Sequence, residues 1–196
     1  MVELRNGSVV LRKTREGGIA NHERWLYGKK LEDLAYWEEP FSEAEAKDFL
    51  AGLKSGKHYE NYGLLEVETA AGAHIGWVNY HRIEPDDRWM KGFALDEDLL
   101  GVGIQIEDAA VRGKGYGEAA LTLYMAYLFN SRDVSALYAQ TESANLPMIR
   151  LAEKIGFAEM HRVKGLLEVR GKVFDAFTFS ISKQEFFGKY AELNEI

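Results

Sequence analysis

The sequence predicts an α+β fold, a mixed α/β domain built around a central sheet. Three observations lead to this prediction. Segments with strand-like and helix-like patterns are mixed along the 196 residues, which is typical of this class. Glycine-containing turns at 71–72 and 170–171 join strand-like segments into predicted hairpins. Hydrophobic residues make up 46% of the chain and no linker or low-complexity tract divides it, which favours a single domain over residues 1–196.

The first half of the chain predicts three strands and two helices. The strands are expected over 8–13, 62–69 and 73–83, and the helices over 18–27 and 42–53. Ser42 is followed three residues later by Glu45, the spacing of a capping box, in which each side chain bonds the other residue's backbone N–H. This pair therefore marks the start of the second helix.

The second half predicts four further strands and three helices. The strands are expected over 100–107, 134–141, 158–169 and 172–181, and the helices over 118–129, 145–156 and 183–193. Asn145 is a preferred N-cap residue, and Pro147 lies in the first turn, where its missing N–H is harmless. Gly156 is typical of the residue that ends a helix.

A glycine-rich loop, residues 112–117 (Arg-Gly-Lys-Gly-Tyr-Gly), lies between the predicted strand 100–107 and the helix 118–129. At a helix N-terminus the unused backbone N–H groups and the helix dipole favour an anion, and glycines let it approach the backbone closely. The spacing matches neither a nucleotide P-loop nor a dinucleotide fingerprint. A phosphate cradle is the favoured interpretation, and a plain glycine turn is the alternative.

Two motifs together resemble the GNAT superfamily of N-acetyltransferases. The Arg-x-x-Gly-x-Gly of the loop is similar to the loop with which that family holds the pyrophosphate of acetyl-CoA. The helix that begins at Asn145 is similar to a second family motif, and both stand in the family's order. The matching residues of that second motif are Asn145, Ile149, Leu151, Glu153, Lys154, Gly156 and Phe157. The chain most resembles the branch that acetylates ribosomal-protein alanine or serine N-termini and polyamines.

The resemblance implies the GNAT fold, a mostly antiparallel sheet of about seven strands flanked by helices. That sheet splays between its fourth and fifth strands, here 100–107 and 134–141, so that pantetheine fits between them. Acetyl-CoA is therefore the implied co-substrate. The residues expected to bind it are Gln105, Ile106, Glu107, Arg112, Gly113, Lys114, Gly115, Tyr116, Gly117, Asn145 and Lys154.

The implied reaction is direct attack of a primary amine on acetyl-CoA in a ternary complex. Backbone N–H groups around 105–107 would polarise the thioester carbonyl. Glu107, at the end of its strand, is expected to accept the amine's proton, with Asp108 and Glu142 as reserves. The alternative is that Glu107 is a solvated acid at a strand end.

The chain departs from the family pattern at the acid that protonates the leaving thiolate. Ala152 stands where many relatives carry a Tyr, and Met148 stands where some carry a Ser. Neither side chain donates a proton, although a thiol with a pKa near ~8.5 leaves fairly well without help. Two hypotheses therefore stay open: an N-acetyltransferase, and a degenerate GNAT domain that binds acyl-CoA as a sensor or interaction module.

The amine acceptor is expected beside Trp37 and Glu38, because aromatic faces next to carboxylates suit a cation. An aromatic core with solvated acids around it is the alternative. The stretch 84–98 is longer than the usual connection at this place in the family. It is either a flap over the acceptor site or a longer hairpin connection.

Charge and composition argue against several other classes of function. The formal charge of −7 argues against nucleic-acid binding, and no apolar run approaches the ~20 residues of a membrane helix. The chain has no cysteine, and its five histidines show no His-x-x-x-His spacing, so no metal is expected. The N-terminus lacks the apolar core of a signal peptide, so a cytoplasmic location is expected. The expected partners are acetyl-CoA and an amine acceptor, with a homodimer left open.

Overall fold

A computed structural model describes residues 2–28, 40–94 and 99–195. The chain packs as two compact units that share three elements. Unit 1 comprises Met1–Asn79 and Ile104–Leu121, and unit 2 comprises Tyr80–Gly103 and Thr122–Ile196. Each unit is described by itself below.

Unit 1 contains three whole strands and parts of two others, in the order β1-β2-β3-β4-β5. They are β1 (Glu3–Arg5), β2 (Val9–Arg12), β3 (Leu65–Thr69), the start of β4 (His74–Ile83) and the end of β5 (Leu99–Ile106). The first four strands pair antiparallel. Leu11, Leu65 and Val67 are fully buried, so these strands carry much of the core of unit 1.

Among its described residues, unit 1 contains three whole helices: α1 (Glu16–Gly28), α2 (Glu43–Ser55) and α3 (Lys57–Tyr62). The short α3 was not predicted, and the predicted strand 62–69 begins only at Leu65. Gly56 and Gly63, both in the left-handed region, bound α3. Six residues are too few for a helical periodicity to stand out from the neighbouring strand pattern.

The capping box at the start of α2 is confirmed. The Ser42 hydroxyl accepts from the Glu45 N–H at 3.2 Å, and the Glu45 carboxylate accepts from the Ser42 N–H at 2.8 Å. Hydrogen bonds from the Ser42 side chain and then its backbone hold the pKa of Glu45 below its usual range.

We expect Ser42→Ala to lower the free energy of unfolding by about 1 kcal/mol at neutral pH, the usual effect of losing an N-cap. Because the folded pKa of Glu45 is lowered, its contribution is present above the ordinary carboxyl pKa and is lost as pH falls through the folded value. Urea unfolding of both proteins at neutral and acidic pH measures this. If the parent chain and Ser42→Ala differed in free energy of unfolding by the same amount at neutral and acidic pH, the role assigned to Glu45 would be wrong.

Unit 2 has the strand order β4-β5-β6-β8-β7. It contains the rest of β4 and β5 together with β6 (Ala136–Glu142), β7 (Ala158–Val169) and β8 (Lys172–Ser182). Strand β6 pairs antiparallel with β8, which pairs antiparallel with β7. Among the described residues, the parallel register of β5 and β6 consists of one pair, Gly101 with Tyr138. Such sparse pairing agrees with the splay expected between these two strands.

The helices of unit 2 are the larger part of α4 (Tyr116–Ser131), then α5 (Leu146–Ile155) and α6 (Lys183–Lys189). Helix α4 is apolar on all faces, and Tyr124, Met125 and Phe129 are at most 1% exposed. A helix of this composition belongs inside a core. The predicted turn at Arg170 and Gly171 is also present, with φ of 50° and 74°.

The described part of the long connection after β4 is anchored within unit 2. A 3₁₀ helix, Arg88–Met90, begins where the Asp87 carboxylate accepts from the Trp89 N–H at 2.7 Å. Met90 is 1% exposed, and its sulfur accepts a hydrogen bond from the Thr178 hydroxyl of β8. This part of the connection therefore packs on the β7–β8 hairpin.

The predicted α+β class is confirmed. The described residues form eight strands where about seven were predicted, and the extra strand is the three-residue β1, which pairs Leu4 with Leu11 of β2. A three-residue segment is too short to show the alternation of apolar and polar residues that predicts a strand. No helix in the described parts of the chain is long and apolar enough to cross a membrane.

Candidate acyl-donor and catalytic site

The predicted glycine loop connects the end of β5 to the start of α4 within unit 1. After β5 the Asp108 carboxylate accepts from the Ala110 N–H at 2.9 Å and opens a 3₁₀ turn, Ala109–Val111. Gly113 and Gly115 then take left-handed φ of 73° and 88°. A Cβ added at either glycine would meet no atom within 4 Å. The side of the loop that these two residues present is therefore open space.

Helix α4 begins directly on this loop. The Ala119 N–H donates to the Gly115 carbonyl at 3.0 Å, which closes the first turn. The first turn of any helix carries N–H groups that the helix itself does not use, and their partial positive charge attracts an anion. Arg112 and Lys114 are exposed beside it. Open glycines, a helix N-terminus and two cations together suit a diphosphate.

Arg112 also ties the loop to the strand before it. Its Nε donates to the Ile106 carbonyl at 2.9 Å. The loop and the end of β5 thus have a fixed relation in unit 1, and an acyl donor held by its phosphates would keep a defined distance from residues 105–107.

The end of β5 is held against β4 by close backbone contact. The Glu107 N–H donates to the Ile75 carbonyl at 2.9 Å. An N–H that donates to Ile75 is not available to polarise a thioester. Successive N–H groups of a strand face opposite sides, so the Ile106 N–H points away from β4. Ile106 is therefore the better candidate among residues 105–107 for contacting the carbonyl.

The side chain of Glu107 lies at this strand end, half-buried, with its Oε2 atom shielded from solvent. The neighbouring acid, Asp108, has its carboxylate engaged in the turn that precedes the loop. The two adjacent acids therefore differ in burial, since Glu107 is half-buried and Asp108 is exposed. Glu142, the other reserve, lies at the end of β6 in unit 2.

Asn145 and Lys154 belong to unit 2. The Asn145 side chain accepts from the Met148 N–H at 3.2 Å and caps α5, as predicted. Lys154 is exposed in the last turn, and its carbonyl accepts from the Lys189 ammonium. Ala152 is fully buried in α5. The predicted acceptor residues Trp37 and Glu38 lie outside the described residues.

These features define a class: an α+β protein whose loop at a helix N-terminus suits a phosphate-containing ligand. The acetyltransferase (GNAT) domain model matches residues 10–158, which is most of the chain. The chain therefore belongs to the GNAT acetyltransferase domain family.

Individual relatives agree with this membership. The chain is 28% identical over 76 residues to the uncharacterized N-acetyltransferase p20 of Bacillus licheniformis, covering 39% of this chain and 43% of that protein. The chain thus aligns with less than half the length of this relative. Among solved structures, the ribosomal-protein-S5-alanine acetyltransferase of Vibrio fischeri is similar, with a TM-score of 0.71, 18% identity and coverage of 95% and 99% of the two chains. Mycobacterium smegmatis RimJ in complex with CoA-disulfide has a TM-score of 0.68 and 19% identity, with coverage of 94% and 87%.

Proposed function

We propose that this chain is an acetyl-CoA-dependent N-acetyltransferase that moves an acetyl group to a primary amine. The observation that carries the proposal is the open, left-handed glycine loop at the N-terminus of α4, joined through Arg112 to Ile106, the last residue of β5, which Glu107 follows. Family membership supports the same activity. A single catalytic domain over residues 1–196 and a cytoplasmic location are part of the proposal.

Acetyl-CoA binding is supported by the fit of the loop. The backbone of 113–117 and the cations Arg112 and Lys114 would receive the diphosphate. Asn145 and Lys154 stay predicted CoA contacts on the strength of the sequence resemblance. The similar RimJ structure contains a CoA-disulfide, which supports a CoA compound as the ligand of this fold.

Acetyl transfer follows from three actions of the protein. The Ile106 N–H polarises the thioester carbonyl, and Glu107 takes a proton from the ammonium, so that the neutral amine attacks the carbonyl carbon. The tetrahedral intermediate then expels CoA as a thiolate, and the nitrogen loses its remaining extra proton to solvent or to the thiolate, because Ala152 and Met148 have no proton to donate. The N–H groups and cations that hold the diphosphate keep the thioester aimed at the amine throughout.

The proposed acceptor is a protein N-terminus, a polyamine or another small amine. The structural similarity to a ribosomal-protein-alanine acetyltransferase supports testing peptides that begin with Ala or Ser. Trp37 and Glu38 are the residues proposed to receive the acceptor. Release of free thiol from acetyl-CoA, measured against these peptides and against polyamines, tests the function. Robust CoA binding with no thiol release across the panel would overturn the enzymatic proposal and leave a binding module.

We expect Glu107→Gln to lower kcat by about 10²- to 10⁴-fold, the usual contribution of a general base, with acetyl-CoA affinity unchanged. The amide keeps the shape of the side chain and loses only its basicity. Steady-state thiol release and calorimetric binding of CoA measure the two effects separately.

Asp108→Asn is the matched comparison, because the amide oxygen can still accept from the Ala110 N–H. It should keep kcat within about a factor of three, well below the effect of losing a base. A large loss in Asp108→Asn with none in Glu107→Gln would transfer the role of base to Asp108.

A further inference from the structure

Three side chains that the acetyl-transfer chemistry does not use meet inside unit 1. His22 comes from α1, Glu66 from β3 and His74 from β4. One potential ligand atom from each lies within 4.8 Å of the other two. His22 and Glu66 are each 1% exposed, whereas His74 is half-buried. The cluster is therefore enclosed on the side of His22 and Glu66, and it approaches solvent at His74.

His22 is buried with neither ring nitrogen hydrogen-bonded, and Glu66 is buried with one of its two carboxylate oxygens lacking a partner among the described residues. Both ring nitrogens of His22 and the Oε1 atom of Glu66 have no hydrogen-bond partner within the described residues. The nearest contact between them, Nε2 to Oε1, is 3.9 Å. A buried polar atom left unsatisfied costs about 1–3 kcal/mol, and a carboxylate costs more. One His22 nitrogen and Glu66 Oε1 lie close enough together that a single ligand could bond both of them.

The surroundings do not supply that ligand. The ring of His22 is packed among Trp25, Phe49 and Trp77, at centroid distances of 5.4, 5.7 and 5.0 Å. Aromatic rings around a polar centre exclude water and lower the local dielectric, which strengthens any bond between the centre and a cation.

One ring nitrogen of His74 already has the kind of partner that metal-binding histidines use. Its Nε2 lies 3.0 Å from the Gly76 carbonyl, which can only accept, so Nε2 carries the proton and Nδ1 carries the lone pair. Metal-binding histidines commonly donate their second ring N–H to a backbone carbonyl in this way. The Nδ1 atom lies 3.4 Å from the Asn21 amide nitrogen, which is longer than an ordinary hydrogen bond. Replacing this weak contact with a metal bond would therefore cost little free energy.

The protonation of the two histidines also favours binding of a metal cation. Burial, with a smaller effect of His74 and His58, lowers the pKa of His22 to about 3. Burial lowers the pKa of His74 to about 4. Both imidazoles are therefore neutral at physiological pH, the form that binds metals. Burial raises the pKa of Glu66 to about 7, although a hydrogen bond from the Arg15 backbone and the charges of Arg12 and Arg15 act in the opposite direction.

We propose that His22, Glu66 and His74 bind a divalent transition-metal ion of the zinc class in unit 1. Two imidazoles and one carboxylate are a common zinc ligand set, with a fourth position for water. Three atoms no more than 4.8 Å apart lie at most about 2.8 Å from a common centre (4.8/√3). Rotation of the side chains by under about 1 Å brings them to the ~2.0–2.1 Å of Zn–N and Zn–O bonds. The sequence did not predict this site, because His22 and His74 are far apart in the chain and no spacing motif links them.

Gly18 in α1 is the residue that makes room for the Glu66 carboxylate. A Cβ at Gly18 would lie 1.7 Å from Glu66 Oε1, whereas a Cβ at the adjacent Gly17 would meet nothing within 4 Å. Gly18→Ala should therefore push the carboxylate away from the two imidazoles. Gly17→Ala is the matched control in the same helix.

The test is binding of Zn²⁺ and Co²⁺ by the chelator-treated full chain. We expect one ion per chain by competition with a zinc indicator, a rise in Tm on adding Zn²⁺, and visible d–d absorption of four-coordinate Co²⁺. We expect Glu66→Gln and Gly18→Ala to weaken Zn²⁺ binding by more than about 100-fold, the upper end of what losing an outer-shell partner costs. We expect Gly17→Ala and His161→Gln to bind as the parent chain does.

Glu66→Gln keeps the volume of the side chain, so it remains informative if Gly18→Ala does not fold. Absence of stoichiometric binding in the parent chain would overturn the proposal. So would equal Zn²⁺ affinity of the parent and Glu66→Gln, or loss of binding in His161→Gln, which would place the ion elsewhere. None of these outcomes depends on acetyl transfer, so the metal site and the proposed function stand or fall separately.

Discussion

Gly115→Asp is expected to weaken binding of acetyl-CoA by at least 30-fold. Gly115 has a φ of 88° and opens onto empty space at the N-terminus of α4, so a carboxylate there would occupy the place proposed for the diphosphate. Two like charges about 4 Å apart near a protein surface repel by about 4 kcal/mol. Half of that energy, about 2 kcal/mol, corresponds to a loss of affinity of about 30-fold. Calorimetric titration with CoA and acetyl-CoA measures the change directly.

Gly115→Asn is the matched control, because Asn and Asp have the same shape and both tolerate a left-handed backbone better than other side chains. We expect the Asn variant to lose far less affinity than the Asp variant. Gly72→Asp repeats the backbone change at a φ of 84° in the turn between β3 and β4, remote in sequence from the loop. If Gly115→Asp bound CoA as tightly as Gly115→Asn, the loop would not hold the diphosphate and the acyl-donor site would have to be placed elsewhere.

Gly76→Ala is expected to destabilise the fold by about 3 kcal/mol and to lower acetyl transfer with it. A Cβ at Gly76 would lie 1.9 Å from the Gln105 carbonyl oxygen and 3.0 Å from the Ile106 Cα. These are backbone atoms of β5, so no side-chain rotation relieves the clash, and the strand itself must shift. Such a shift would displace Gln105, Ile106 and Glu107 together. Urea unfolding measures the loss of stability, and thiol release at saturating substrates measures the loss of activity.

Gly188→Ala in α6 provides the control for adding a methyl group at a glycine. Its Cβ would meet nothing within 4 Å, and alanine is the better helix former, so we expect a change within about 1 kcal/mol, towards greater stability. Equal stability of Gly76→Ala and the parent chain would mean that β4 and β5 do not approach as closely as the structure places them.

Most elements of the fold could be predicted from local patterns. The capping box at Ser42, the cap of α5 at Asn145 and the Arg170–Gly171 turn each depend on residues only a few positions apart, and the structure contains all three. Of the described strands and α-helices, those that were missed are β1 and α3, of three and six residues. Both are stable only through their neighbours, since β1 pairs with β2 and α3 follows α2 after one left-handed glycine.

The candidate site also has some features that the sequence predicted and others that it did not. The glycine loop was predicted because the glycines that allow a positive φ and the residues that start the helix are neighbours in the sequence. The engagement of the Glu107 N–H with Ile75 was not predicted, because it depends on how β5 lies against β4. The roles of Glu107 and of the loop residues remain predictions that the variants above test.

The sequence by itself determined the α+β class, the order of most strands and helices, the glycine loop and the family resemblance, since each depends on propensities and spacings within one short segment. Only the tertiary structure decided which N–H of β5 faces away from β4, where the connection after β4 is anchored, and that His22, Glu66 and His74 meet. Contacts of this kind join residues from separate elements, and their free energy depends on distance in space rather than on separation along the chain.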